Sequence, residues 1–277
     1  MGLFINEFVK DYKKISTKIY MLLIIAIMVI PNIGNTWGKD KAVALSSGET
    51  ATLIIDSLGI AATLSYVFIL IMLANNISQE YSKGTIKFLY SKPYSRSSIL
   101  TSKILLAIFN FVFFTVIAFV VDMLLKKFVF YKGMNLSSIL STQLGETNYS
   151  RILSDHLIIM FIMLLLTTIF YISLVTLICI VFRSQILSVI VVLVMLLGGS
   201  LISQLTLLIL PKFEYIKYFF TNVQAIGGYF DNVESRFYTQ ETFKLSPNDL
   251  LIMAVVYTLI FFAISYLVNS RRDVKLD

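Results

Sequence analysis

Residues 78–103 read SQEYSKGTIKFLYSKPYSRSSILTSK. This polar, basic stretch separates two long apolar segments, and its internal order decides what kind of fold the chain has. Gly84 supplies a left-handed end for a helix leaving the preceding apolar segment, because glycine has no Cβ to clash there. Thr85 then caps a short helix, Ile86 to Ser91, and Pro93 stops it, with Lys92 driven towards extended backbone. Ile86, Leu89 and Tyr90 fall at i, i+3 and i+4. The short helix therefore has one small greasy face, surrounded by Lys83, Lys87, Lys92 and Arg96. Ser95 or Ser97 starts the next helix. A loop that only set topology would need neither the Gly-Thr start, the apolar triplet nor the proline stop. The stretch reads as a docking knob between two membrane spans.

The rest of the chain agrees with that reading. Of 277 residues, 57% are hydrophobic and only 14% charged, and the mean hydropathy is +0.83. Those values exclude an ordinary soluble domain. The length accommodates about six spans of roughly 20 residues each. The formal net charge of +7 flanks apolar segments, which suits anionic lipid headgroups and topology control and not nucleic acid. Cys179 is the single cysteine and lies in an apolar run, so no intramolecular disulfide forms.

The expected architecture is all-α: a polytopic membrane protein in one transmembrane domain, residues 1–277. Its six spans fall at about 19–37, 57–77, 104–125, 157–182, 186–210 and 250–268. Before the first span, Phe4, Phe8, Tyr12 and Ile15 share one helical face, with Glu7, Lys10, Asp11 and Lys14 elsewhere. This predicts an amphipathic helix in the inner interface. Pro31, Asn32, Gly34 and Asn35 loosen the outer end of span one, and Trp37 suits an interface position. Ala42-Val43-Ala44 looks like a cleavage site, but charged residues intervene before it, which argues against a removed signal peptide. Residues 38–56 and 126–156 read as polar loops. The link Arg183-Ser184-Gln185 is so short that spans four and five must form an antiparallel hairpin.

Charge sets the orientation. With the N-terminus inside, the inner segments hold thirteen Lys and Arg residues against five acidic ones, Glu7, Asp11, Glu80, Asp273 and Asp277. Both termini are then cytoplasmic and the protein lies in the cell membrane.

Candidate chemistry is sparse. No phosphate-binding G-x-x-x-x-G-K-[ST] occurs. His156, the only histidine, cannot build a histidine zinc site, and beside Ser154 and Asp155 it reads as part of a helix start and not of a triad. No catalytic or metal residue is expected. Asp122 lies one turn before Lys126, which predicts an ion pair snorkelling to the outer headgroups. Asn110, Thr167, Thr168, Ser200 and Gln204 are mild polar groups at depth that tend to bond between helices. Gly198-Gly199 permits close helix approach or a bend. In residues 211–249, Phe213, Ile216, Phe220 and Val223 follow helical spacing up to Gly227-Gly228. That predicts a short helix in the outer leaflet, either sealing the bundle or forming the rim of an exit path. Asn110, Ser200, Gln204, Phe219 and Phe220 are the candidate substrate-path residues.

Glu80, Gly84-Thr85, Leu89, Pro93, Arg96 and Lys103 run as E-x3-GT-x3-L-x3-P-x2-R-x6-K. This pattern resembles the cytoplasmic loop between spans two and three of ABC-2-type transporter permeases. The six-span layout, interfacial helix, tight link and helical outer segment are similar to that family as well. The resemblance implies a non-hydrolytic subunit of an ATP-driven exporter. A second copy or a paralogous permease would pair with it, and two cytoplasmic ABC ATPase subunits would bind ATP and Mg. No cofactor is implied for this chain. Ile86, Leu89 and Tyr90 would enter a cleft of the ATPase, Glu80, Lys87 and Arg96 would surround them, and Gly84, Thr85 and Pro93 would couple the knob to the spans. The aromatic outer segment and the scarcity of charge at depth suggest amphipathic peptides, antibiotics or lipid-like molecules as cargo. The rivals are an ion-coupled secondary transporter, which would need ionisable groups near the midplane, and a membrane enzyme, which would need convergent catalytic groups.

Overall fold

In a computed structural model, residues 2–36, 47–82, 84, 94–130, 136–144, 151–226 and 244–271 are described. The chain is helical apart from a two-residue antiparallel pairing of Gln143–Leu144 with Arg151–Ile152. Helix α1 (Gly2–Lys13) is followed almost at once by α2 (Ile15–Thr36), then α3 (Ser47–Ser82) and α4 (Arg96–Leu125). A π-helical turn (Lys126–Phe130) continues α4, and a short α5 (Leu136–Leu140) follows. Then come α6 (Leu153–Phe182), α7 (Gln185–Ile209), two 3-10 turns (Glu214–Tyr218 and Phe220–Gln224) and α8 (Pro247–Arg271).

Among the described residues, α2, α3, α4 with its π turn, α6 and α8 are long and apolar enough to cross a membrane, which makes five. The predicted fifth span is one continuous helix, α7, and its described stretch Gln185–Val194 is apolar. Several boundaries differ from expectation. Helix α3 begins ten residues before the expected span, so the second half of the 38–56 loop is helical. Helix α2 runs through Pro31 and Gly34 to Thr36 without breaking. Asn32 fastens that end by donating from Nδ2 to the Met28 carbonyl at 3.1 Å. Loop 126–156 contains the π turn, α5 and the first turn of α6.

Two turn signals have the local structure their chemistry demands. Gly84 has φ +68° and its N–H bonds the Tyr81 carbonyl at 3.2 Å, the left-handed cap that ends α3. Ser95 starts α4: its Oγ accepts from Ser98 N–H at 3.1 Å. Between α6 and α7 the chain turns in two residues. Arg183 takes φ 54°, costly for a side chain with a Cβ, and its guanidinium lies 5.4 Å from the centre of the Tyr81 ring. Ser184 then caps α7, its side chain accepting from Leu187 N–H.

The chain divides into two packing units. One comprises residues 1–13, 67–110 and 163–277, and the other 14–66 and 111–162. In the first, Phe170, Ile172, Ile180 and Leu250 are fully buried beside Leu70, Ala74 and Leu106. In the second, Phe111 stacks on Phe161 with centroids 6.3 Å apart, and Gly59 allows the Met160 methyl to approach, where an added Cβ would meet it at 3.2 Å.

Candidate functional site

The densest polar cluster of the first unit surrounds the two ends of the 83–95 stretch. It begins with α1. Phe4, Phe8 and Tyr12 recur every fourth residue and form one aromatic stripe, Phe8 and Tyr12 stacking at 4.3 Å. The stripe packs on α4: Phe109 meets Phe4 at 6.1 Å and Phe8 at 5.7 Å, both edge-on. Tyr12 donates its hydroxyl to Asn110 Oδ1 at 3.1 Å. Burial, and secondarily the neighbouring Asp11 charge, push the Tyr12 phenol up to about 12.

Glu7 and Asp11, one turn apart on the adjoining stripe, are 4% and 2% exposed. The sequence reading placed them away from the buried face. They turn inward because cations and amides from distant parts of the chain meet them there. Lys103 Nζ donates to Glu7 Oε2 at 3.0 Å and to Glu80 Oε1 at 2.8 Å. Lys10 donates to the same Glu80 oxygen at 2.7 Å and lies 3.8 Å from Glu7. Asn76, one turn before Glu80 on α3, donates Nδ2 to both Asp11 oxygens at 2.8 and 2.9 Å. Burial works against the Lys10 charge, but the Glu80 hydrogen bond and the fields of Glu80, Glu7 and Asp11 outweigh it and hold the ammonium above its usual value. The face left outward on α1 carries Ile5 and Val9, 57% and 42% exposed. The outward side of this helix is therefore not the aromatic stripe.

A second tie joins the same two helix ends. Tyr81 donates its hydroxyl to Asn269 Oδ1 at 3.1 Å, and Asn269 Nδ2 donates to the Arg96 carbonyl at 3.4 Å. Thr101 and Tyr266 share a hydroxyl bond at 2.7 Å. The last turn of α3, the first turns of α4 and the end of α8 are thus tied into one block.

Of the residues expected to meet a partner, Glu80, Gly84 and Arg96 lie at the base of this block. Thr85, Ile86, Lys87, Leu89, Tyr90 and Pro93, with the whole expected coupling helix, lie outside the described residues. Sequence reasoning missed Glu7, Lys10, Asp11, Asn76, Tyr81 and Asn269 as members. The legible signal was two acids at i, i+4 in a segment otherwise rich in lysine, on a helix whose aromatic face was already accounted for.

The candidate path residues do not gather into one site. Asn110 is 2% exposed and held by Tyr12, Gln204 is exposed on α7, and the Ser200 side chain lies outside the described residues. Phe219 and Phe220 lie 4.6 Å apart in the segment after α7. That segment forms consecutive 3-10 turns and not the expected α-helix. Its second half seals: Val223 and Ile226 are fully buried, Phe220 meets Phe261 edge-on at 5.9 Å, and Tyr257 donates to the Tyr218 carbonyl at 2.8 Å. Its first half faces outward, with Phe213 64% and Tyr215 88% exposed. Thr167 and Thr168 bond back to the carbonyls of Met163 and Leu164 on their own helix, not across to another. A Cβ on Gly198 would meet no described atom within 4 Å, so no close helix approach occurs there among the described residues. Among the described residues no group of three His, Cys, Asp or Glu side chains is arranged to hold a metal ion.

Multiple long apolar helices define an integral membrane protein with several spans. The family model described as ABC-2 family transporter protein matches residues 6–274, and the chain belongs to that family, as a membrane-spanning permease component of an ABC transporter. No curated protein matches it.

Proposed function

We propose that this chain is the translocation subunit of an ATP-driven exporter, moved by a separate ATPase that docks on residues 83–95. The observation that carries the proposal is the double tie at the base of that stretch. Lys103 joins Glu80 to Glu7 while Asn269 joins Tyr81 to Arg96. A push delivered between Ser82 and Arg96 is then passed to α1, α3, α4 and α8 together and is not absorbed by a slack loop. Family membership supports the same reading, since permeases of this kind work with ATPase partners.

In this reading α7 is the fifth of six spans, both termini are cytoplasmic, and residues 1–277 form one permease domain. Ile86, Leu89 and Tyr90 insert into the ATPase, with Glu80, Lys87 and Arg96 around them. A second permease, identical or paralogous, completes the route, and ATP and Mg stay on the motor. For ATP to drive the cycle, the motor must bind inward-open and outward-open states with different affinity. Cargo is amphipathic or lipid-like, peptides and antibiotics included, and meets the outward-facing aromatics Phe213, Tyr215 and Phe219.

The test is co-purification. Leu89→Asp leaves membrane insertion intact and abolishes capture of the ATPase, and undiminished capture refutes the docking role. The rival, an ion-coupled transporter, draws on the buried pair of Asp122 and Lys126. Transport that needs ATP and persists when ion gradients are collapsed rejects it.

A further inference from the structure

In the second unit, one buried charge pair ties three helices. Asp122 near the end of α4 and Lys126 at the start of the π turn lie 2.8 Å apart, their side chains 2% and 5% exposed. The sequence predicts this pair but directs it outward to headgroups; the structure turns it inward. Asp122 Oδ1 accepts from Asn32 Nδ2 of α2 at 2.6 Å. Lys126 Nζ donates to the Leu53 carbonyl of α3 at 3.0 Å and to Ser57 Oγ. Asp122 Oδ2 meets Lys126 through the ion pair without a hydrogen bond among the described residues.

Beside the pair is a cavity of ≈80 Å³, and its wall includes Asn32, Ser57, Asp122, Lys126 and one further charged side chain, Asp56. Asp56 is exposed, and it directly precedes the serine that Lys126 already touches. Two carboxylates, one buried and one at the solvent side, therefore share a cavity with a single ammonium. The cavity exceeds the roughly 15 Å³ that a water requires, and the polar side chains in its wall can bond one. A buried ion pair contributes little net stability against an apolar replacement, and its value lies in holding one geometry against another. The ammonium also hangs from a π turn, a rare backbone form that recurs as single turns at functional places in helices.

We propose that Lys126 is a two-position switch, moving between buried Asp122 and exposed Asp56. In the first position it fastens α3 to α4, and Asp122 holds α2 through Asn32. In the second it stays on α3, leaves Asp122 to Asn32 alone, draws water into the cavity and loosens α2 from α4. The switch gates this end of the second unit and does not depend on how transport is driven.

Carbodiimide cross-linking of the full chain in lipid nanodiscs, read by peptide mass spectrometry, tests it. The reagent activates a carboxylate, the lysine amine displaces it to form an amide, and the reagent leaves as the urea, carrying the lost oxygen. The wild type is expected to give an Asp56–Lys126 amide, Asp56→Asn to lose it, and Asp122→Asn to raise its yield. Reagent adducts on Asp56 with no link to Lys126 overturn the proposal. Should Asp122→Asn fail to fold, the wild type and Asp56→Asn still decide, because Asp56 is a surface residue. Nitroxides at the exposed positions Ile33 and Val129 supply a second reading. Their separation is expected to lengthen in Asp122→Asn and to stay at its short value in Asp56→Asn. Equal separations in both overturn the loosening of α2.

Discussion

Lys103 Nζ sits 2.8 Å from Glu80 Oε1, closing the chain across the twenty-three positions that contain the proposed docking stretch. The same ammonium reaches Glu7 at 3.0 Å, ninety-six positions away. Both contacts are buried, so neither is a surface pair of negligible weight.

Replacing Lys103 with Met leaves two buried carboxylates facing one half-exposed lysine. Removal of one partner from a buried pair costs about 3–5 kcal/mol. Lys103→Met is expected to lower the unfolding midpoint in detergent strongly, while Lys103→Arg retains most of it. Lys10→Met, whose side chain is 43% exposed, has a much smaller effect because solvent screens it. Equal losses for Lys103→Met and Lys10→Met would contradict the cluster's geometry.

Phe109→Ala removes both edge-on contacts with Phe4 and Phe8. At about 1 kcal/mol per aromatic pair, α1 should loosen before the bundle does. Hydrogen exchange is expected to speed up over residues 2–13 and to stay unchanged in α6. Uniform acceleration would mean that Phe109 supports the core and not the docking of α1.

Alkali should release α1 reversibly. Lys10 is raised above 10.5, and Tyr12 rises from 10.0 to about 12. Both shifts are upward, so the stability they contribute is complete below pH 10 and disappears as pH climbs through the folded values. Protease cleavage within residues 2–13 should rise over that window and do so less in Lys10→Met/Tyr12→Phe, where no such groups remain to titrate. A flat profile in the unsubstituted protein would exclude the coupling.

Gly198→Ala meets no described atom within 4 Å and gains up to about 1 kcal/mol of helix propensity. The expected outcome is a small rise in the unfolding midpoint. A clear fall would reveal that another helix, from this chain or a second copy, approaches Gly198 closely.

The local rules of the chain were written in its sequence. Apolar runs of about twenty residues call for membrane helices, because in lipid only helices and closed barrels satisfy the backbone and a run of that length matches the helix. Gly84 and Ser95 have the side chains, or lack of one, that end α3 and start α4. The Asp122–Lys126 pairing follows from i, i+4 spacing alone. What periodicity could not report is the direction a polar group faces. Glu7 and Asp11 look like the wet side of an amphipathic helix until Lys103 and Asn76, from far along the chain, arrive to neutralise and bond them. Asp122 and Lys126 likewise look ready to snorkel until the Leu53 carbonyl, Ser57 and Asn32 offer partners inside. Thr167 and Thr168 seem suited to bridging helices, yet their own backbone carbonyls were nearer. A carboxylate is buried only when the cost of losing water is met by partners, and those partners are set by tertiary packing, not by neighbours in sequence.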